Sequence, residues 1–337
     1  MLFCQTDGCW RFAQASWQVL LHNRSTRQMR YGQMSKLRPT VSVDGQITAM
    51  DDAMIPVMDR GFLYGDSVYE VFRTYRGVPL FLEDHFRRLE NSAQLIQMQI
   101  SQSRAQLLEE IRRTAVAANV TLEVDAYVRY QITRGEGAVD LYPDPGLKTR
   151  VVIIVKALPT WKKVFYERGM DMYVPQVRRN PVNALDPNIK GGNYLNNIMA
   201  LTEARQNGAD DCVMLNREGF VTEAANSNVW FVIRGRLVTP GTGNLKGLTK
   251  KHVHKALKQT GIQSFEEDIH ANELPDATEC FVTSATREVM PCASLTLLGG
   301  ERLEFPTGGG EITRTVQAVF SSYVKSYIES HANDALV

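Results

Sequence analysis

Asp186-Pro-Asn-Ile-Lys190-Gly-Gly-Asn-Tyr194-Leu-Asn-Asn197 is the stretch on which the reading of this chain turns. A lysine closes an irregular, proline-bounded segment, and two glycines follow it, so the backbone there can approach a ligand closely. A single lysine is ordinarily a solvated surface charge. This one stands immediately before a run with helical spacing, residues 194–207, which Gly208 is placed to stop. The lysine therefore sits at a loop-to-helix junction, where reactive side chains can be presented from a fixed scaffold.

Working outward, 40–45 alternates apolar and polar residues and ends in Asp44-Gly45, a hairpin signal. A short strand is predicted at 55–58. Ser67–Tyr75 alternates again, with Val68, Glu70, Phe72 and Thr74 on one face and Tyr69, Val71, Arg73 and Tyr75 on the other. Helical spacing follows at 83–97 and 103–118, then strands at Ala126–Thr133 and Arg150–Ala157, the latter apolar enough to be central. Residues 158–163 break the pattern and serve as a linker. Beyond it strands are predicted at 171–176, Asp211–Leu215, Asn228–Ile233 and 279–283, with helices at 249–261 and 312–330. Strands with adjacent helices, without regular strand–helix alternation, make an α+β fold.

The chain has 337 residues, 44% hydrophobic and 22% charged, with 38 basic against 37 acidic side chains and a net charge of +1. That balance offers no broad basic surface for nucleic acid. The apolar runs fall well short of the roughly 20 residues of a membrane span. Five cysteines without a CxxC or Cys/His cluster read as reduced thiols in a cytoplasmic compartment. Residues 1–33 differ from the rest. Four arginines against Asp7 give them a charge of +3, leaving −2 for the remainder. They read as an organelle transit peptide, as an upstream extension with Met34 as the natural start, or as a genuine disordered or docking extension.

Several chemistries have no motif here. GxxxxGK[ST], HExxH and GxSxG are absent, and Gly241-Thr-Gly243 is not predicted to stand after a strand and before a helix as a dinucleotide fingerprint requires. The histidines at 22, 85, 252, 254, 270 and 331 form no metal set, since His252 and His254 lie two apart on a helix and point to different faces. No metal site is expected. The chemistry falls to lysine, arginine, tyrosine and carboxylates.

The stretch around Lys190 resembles the Schiff-base lysine motif of class IV pyridoxal-phosphate aminotransferases, in the form seen in branched-chain aminotransferases. Other blocks resemble the same family in order, over nearly all of 38–325. They are 59–75 (Asp-Arg-Gly-Phe-Leu-Tyr-Gly-Asp-Ser-Val-Tyr-Glu-Val-Phe-Arg-Thr-Tyr) and Phe81-x-x-x-His85-x-x-Arg88-Leu89. Gly219-Phe-Val-Thr-Glu223-Ala-Ala-Asn-Ser-Asn228, Lys246-Gly-Leu-Thr249 and Thr283-Ser-Ala-Thr-Arg-Glu288 complete the set. The resemblance implies a two-domain fold-type IV enzyme. Its smaller N-terminal α/β domain would be 34–157, its linker 158–166, and its larger pseudo-barrel domain, which binds pyridoxal 5′-phosphate, 167–337. It also implies a homodimer or higher homo-oligomer in which the neighbouring subunit closes the site.

The roles it implies are specific. Lys190 would be the catalytic residue, holding the cofactor and moving the proton between the substrate Cα and the cofactor. Glu223 would keep the ring nitrogen protonated, and Tyr194 would donate to the phenolic oxygen. Arg88, the backbone of Leu248 and Thr249, and the 284–286 turn would take the phosphate. Ala285 departs from the family's usual hydroxyl, so Ser284 or Thr286 would supply that contact. Tyr127-Val-Arg129 resembles the Tyr-x-Arg of branched-chain enzymes, which helps place the substrate carboxylate; Phe62, Tyr64 and Tyr69 would line an apolar pocket.

The expected reaction is transamination of an L-branched-chain amino acid with 2-oxoglutarate, as in branched-chain amino acid biosynthesis. The alternatives are a D-amino-acid or (R)-amine transaminase, a 4-amino-4-deoxychorismate lyase, and a non-catalytic relative that keeps the fold as a binding protein. The loop 133–142 lacks the Arg-x-His of D-amino-acid enzymes, whereas Val68-Tyr-Glu-Val71 is closer to that type.

Overall fold

Asp44 and Gly45 both adopt the left-handed backbone, with φ of 50° and 83°. A two-residue hairpin of the primed type requires this conformation, and it pairs β1 (Thr40–Val43) with β2 (Gln46–Ala49). The computed structural model describes residues 37–337, so the readings of 1–33 and of Met34 lie outside the described residues. In chain order the helices are α1 (Arg60–Tyr64), α2 (Leu82–Leu95), α3 (Arg104–Ala117) and α4 (Lys163–Glu167). They continue with α5 (Leu195–Gln206), α6 (Leu248–Gln259) and α7 (Glu311–Ser330).

The first sheet adds β3 (Ser67–Tyr75), β4 (Val78–Pro79), β5 (Ala126–Thr133) and β6 (Arg150–Ala157), in the order β2-β1-β6-β5-β3-β4. The apolar β6 is interior, paired on both sides. Alternate residues of β3, β5 and β6, among them Phe72, Ile132 and Ile153, pack with Phe86, Leu89 and Ile111 of α2 and α3. α3 starts at a reciprocal cap in which Ser103 and Gln106 satisfy each other's backbone N–H groups. The opposite face of the sheet, carrying Tyr69, Val71, Tyr127 and Arg129, borders a cavity.

The second sheet has nine strands. They are β7 (Met170–Tyr173), β8 (Asp211–Leu215), β9 (Val221–Ala224), β10 (Asn228–Ile233), β11 (Arg236–Pro240), β12 (Phe265–Glu267), β13 (Ala277–Ser284), β14 (Glu288–Thr296) and β15 (Arg302–Glu304). The order is β12-β11-β10-β13-β14-β7-β8-β9, with β15 beside β14. The sheet curls, so that β9 packs back against β10. One apolar core fills the curl, including Phe231, Val282 and Leu295. A second lies beneath α6 and α7, including Trp230, Phe281 and Phe320. The α+β class holds.

Some elements depart from the sequence reading. Residues 55–58 form no strand; Pro56 cannot donate to a ladder, and Met54 and Val57 are exposed. The strand predicted at 171–176 stops at Tyr173, two residues before Pro175. The 158–163 break is irregular only to residue 162, and α4 begins at Lys163. β14 carries Pro291 in its middle, which hides it from a propensity reading.

Candidate active site

Lys190 is fixed by strand-like pairing rather than by its own helix. Tyr69 N–H donates to Lys190 O at 2.9 Å, and Gly192 N–H to Ser67 O at 3.0 Å, around a bridge between Val68 and Gly191. The lysine segment thus extends the edge of β3. Both glycines are needed for this approach: a Cβ on Gly191 would meet Ser67 O at 3.0 Å, and one on Gly192 would press into Ser67 Oγ at 2.5 Å. The Lys190 N–H donates to Ser92 Oγ of α2 at 3.1 Å. Its side chain then enters a cavity of about 650 Å³ between the two sheets.

In that cavity Lys190 Nζ lies 3.4 Å from Tyr69 Oη. The Tyr69 and Tyr194 hydroxyls are hydrogen-bonded at 2.8 Å, and the Arg129 guanidinium lies 3.7 Å from the Tyr69 ring centre. Burial works against a charge on Tyr69, but Lys190, the Tyr194 hydrogen bond and Arg129 together hold its phenol below the ordinary value. Tyr194 is pushed up to about 12, chiefly by burial. Burial would lower Lys190, yet the oxygens of Tyr194 and Tyr69 outweigh it and raise its amine above the usual lysine value.

Arg88 reaches the same cavity from α2. Its Nε and Nη2 each lie 2.7 Å from a different oxygen of Glu70, a two-pronged pair, and Nη1 donates to Lys246 O at 3.3 Å. His85 Nδ1 lies 2.6 Å from Glu70 Oε2. Glu70 is fully buried; burial alone would raise its carboxyl, but Arg88 and His85 hold it down to about 2.

Facing Arg88 is the N-terminus of α6, where Gly247 precedes Leu248 and Thr249 and no side chain caps the helix. Its first N–H groups have no partner within the helix. A Cβ on Gly247 would overlap Asn228 Oδ1, so the loop can pass there only as glycine. Ser284, Ala285 and Thr286 complete this wall; Thr286 O accepts from Trp161 Nε1 at 3.0 Å. An arginine, an uncapped helix N-terminus and two hydroxyls in one cavity fit a phosphate group.

Glu223, on β9, points into the cavity held at both oxygens. Arg179 Nε and Nη2 lie 3.0 and 2.9 Å from Oε1, and Leu245 N–H donates to Oε2 at 3.1 Å. Tyr64, Tyr127 and Arg129 also line the cavity. Arg129 Nη2 donates to Gln131 Oε1 at 2.7 Å, and Gln131 Nε2 to Ser67 Oγ at 2.9 Å. Phe62 is not brought into the cavity of its own chain: α1 turns Arg60 inward and leaves the Phe62 ring 62% exposed.

Three residues of this site escaped the sequence reading: Arg179, Glu70 and Gln131. Glu70 and Gln131 had a usable signal, a polar residue on a strand whose neighbours are apolar. Arg179 had only its place two residues before Pro181.

The model of the amino-transferase class IV family matches residues 67–295. This chain belongs to the class IV aminotransferase family. A relative described as a putative branched-chain-amino-acid aminotransferase of Methanocaldococcus jannaschii is 34% identical, covering 74% of this chain and 86% of its own. A D-alanine aminotransferase of Staphylococcus epidermidis is 28% identical, covering 85% and 98%. Among solved structures, the branched-chain amino acid aminotransferase of Escherichia coli superposes with a TM-score of 0.77 at 28% identity, covering 85% of this chain and 94% of that one. The pyridoxal-phosphate form of the enzyme from Thermobaculum terrenum gives 0.73 at 26%, covering 86% and 95%. The protein is a class IV aminotransferase that uses pyridoxal phosphate, with the fold-type IV architecture of these neighbours.

Proposed function

We propose that this aminotransferase transfers the amino group of an L-branched-chain amino acid to 2-oxoglutarate. The observation that carries the reading is Arg129, stacked on Tyr69 and hydrogen-bonded to Gln131, in the cavity that Lys190 enters. A fixed guanidinium there suits a substrate α-carboxylate, and Tyr64, Tyr69 and Tyr127 offer an apolar wall.

When bound, pyridoxal phosphate supplies the aldehyde carbon that takes up the amino group and the ring that accepts the electron pair released at the substrate Cα. The residues then divide the work. Lys190 Nζ would be the attachment atom and the base that carries the Cα proton. Tyr69 Oη, 3.4 Å away, steers that amine. Glu223, held in place by Arg179, would keep a proton at the ring nitrogen. Tyr194 donates to the phenolic oxygen. Arg88, Leu248 N–H, Thr249 N–H, Ser284 and Thr286 would hold the phosphate, with Ala285 between the two hydroxyl residues.

We assign the same reading a homodimer. Large apolar side chains stand exposed on the 54–62 segment (Met54, Val57, Phe62), on the 139–142 loop (Val139, Leu141, Tyr142) and on α5 (Leu195, Ile198, Met199). So much exposed apolar surface is expected to be covered by a second copy, and Phe62 would act there. Residues 34–157 and 167–337 are then the two domains, joined through 158–166. Cys212, Cys280 and Cys292, buried and unbridged, suit a reducing cytoplasm.

A second reading, a D-amino-acid transaminase, is favoured by the Glu70 that follows Tyr69 and by the D-alanine aminotransferase relative. A panel of L-Leu, L-Ile, L-Val, D-Ala, D-Glu and (R)-1-phenylethylamine with 2-oxoglutarate or pyruvate separates the two. Turnover of the L-branched-chain donors supports the first; turnover confined to D-amino acids replaces it with the second. Pyruvate release from aminodeoxychorismate without an amino acceptor would mark a lyase.

A further inference from the structure

We propose that Asp84 and His252 form a positioning clamp that sets the separation between the two grips on the cofactor phosphate, Arg88 and the N-terminus of α6. The inference rests on the phosphate placement proposed above. Asp84 lies one helical turn before Arg88 on α2, and His252 one turn beyond Leu248 on α6, so each neighbours its grip on the helix surface. Across the gap His252 Nε2 is 2.8 Å from Asp84 Oδ2, and Lys251 Nζ is 2.8 Å from Asp84 Oδ1. Arg87 Nη1 lies 3.5 Å from the same Oδ1. α2 packs on the first sheet and α6 on the second. The clamp therefore ties together two parts whose spacing defines the site.

The imidazole is held on every side. Phe81, at the start of α2, stacks on it with ring centres 3.4 Å apart and planes 6° from parallel. Tyr323 of α7 lies 3.0 Å from Nδ1. With Tyr323 O–H donating to Nδ1, Nε2 carries the proton and donates to Asp84. This neutral form is the one burial favours: His252 is held down to about 4, with Lys255 and Lys251 adding to the effect and Asp84 opposing it. Neither residue lines the cavity. On the cavity side, a direct bond between the two grips is the 3.3 Å contact from Arg88 Nη1 to Lys246 O, so a fixed spacing needs support from behind.

The test compares affinities of the apo-protein for pyridoxal phosphate and for pyridoxal, which lacks the phosphate, by equilibrium dialysis. His252→Phe keeps a ring against Phe81 but loses both hydrogen bonds; His252→Gln keeps an amide donor toward Asp84. The clamp predicts that His252→Phe weakens pyridoxal phosphate at least about tenfold while pyridoxal is unchanged, and that His252→Gln recovers most of the loss. Arg88→Met is the reference and must show the same selective loss. If it does not, the phosphate placement fails. If it does, but His252→Phe lowers both affinities equally or neither, the clamp alone is contradicted. Should His252→Phe fail to fold, Asp84→Asn is judged by the same pair of affinities.

Discussion

Arg179 presents Nε and Nη2 to a single oxygen of Glu223, at 3.0 and 2.9 Å, and leaves the other oxygen to the Leu245 N–H. A nearly buried carboxylate is thus held in one orientation by an arginine 44 residues away in sequence.

Arg179→Met should therefore loosen Glu223 and change the cofactor's electronic environment. The expected result is a loss of roughly 10- to 100-fold in kcat/KM, the range for a hydrogen bond to a charged group. A shift in the visible absorption of the holoenzyme should accompany it. An unchanged spectrum with normal kinetics would leave Arg179 with a packing role only.

Arg129 should act on substrate and not on cofactor. Arg129→Leu is expected to reduce kcat/KM for amino acids by about 100-fold, as removal of a charged hydrogen bond to a carboxylate does. Affinity for pyridoxal phosphate, measured separately, should stay at the wild-type value.

Glu70 gives an acid-stability prediction. Its carboxyl titrates near 2 in the fold, against an ordinary value of 4.5. The unfolded chain therefore binds more protons between those values, so stability falls as pH falls across that window. The contribution is complete above about pH 4.5 and is lost toward pH 2. Glu70→Gln should flatten the pH dependence of the urea midpoint between these values while lowering stability at pH 7.

His252 adds a second, higher window. Its imidazole is held near 4, below the ordinary 6.5. Protons again favour the unfolded chain, so this contribution is complete above pH 6.5 and is lost as pH falls toward 4. His252→Phe should remove that part of the slope, which thermal unfolding at pH 4–7 would show.

The order of site blocks was legible because each one joins a chemical group to a local backbone signal. Lys190 has its glycines, Thr249 a helix start, and Ser67–Tyr75 a period of two. What the sequence could not carry were partners set by topology. Glu70 meets Arg88 because β3 lies against α2, and Arg179 meets Glu223 across the second sheet. The 55–58 segment reads as a strand from its apolar residues, yet Ile55 and Val57 are exposed. Apolar composition alone does not reveal whether a segment faces its own core. Phe62 raises the same question.

Lys190 Nζ, which enters the cavity, is proposed as the cofactor's attachment atom. Borohydride reduction of the holoenzyme, followed by peptide mapping by mass spectrometry, tests it most directly. The account predicts a phosphopyridoxyl mark on the peptide containing Lys190, and no mark in Lys190→Ala. A mark on a different lysine, or none on protein that has bound the cofactor, would contradict it.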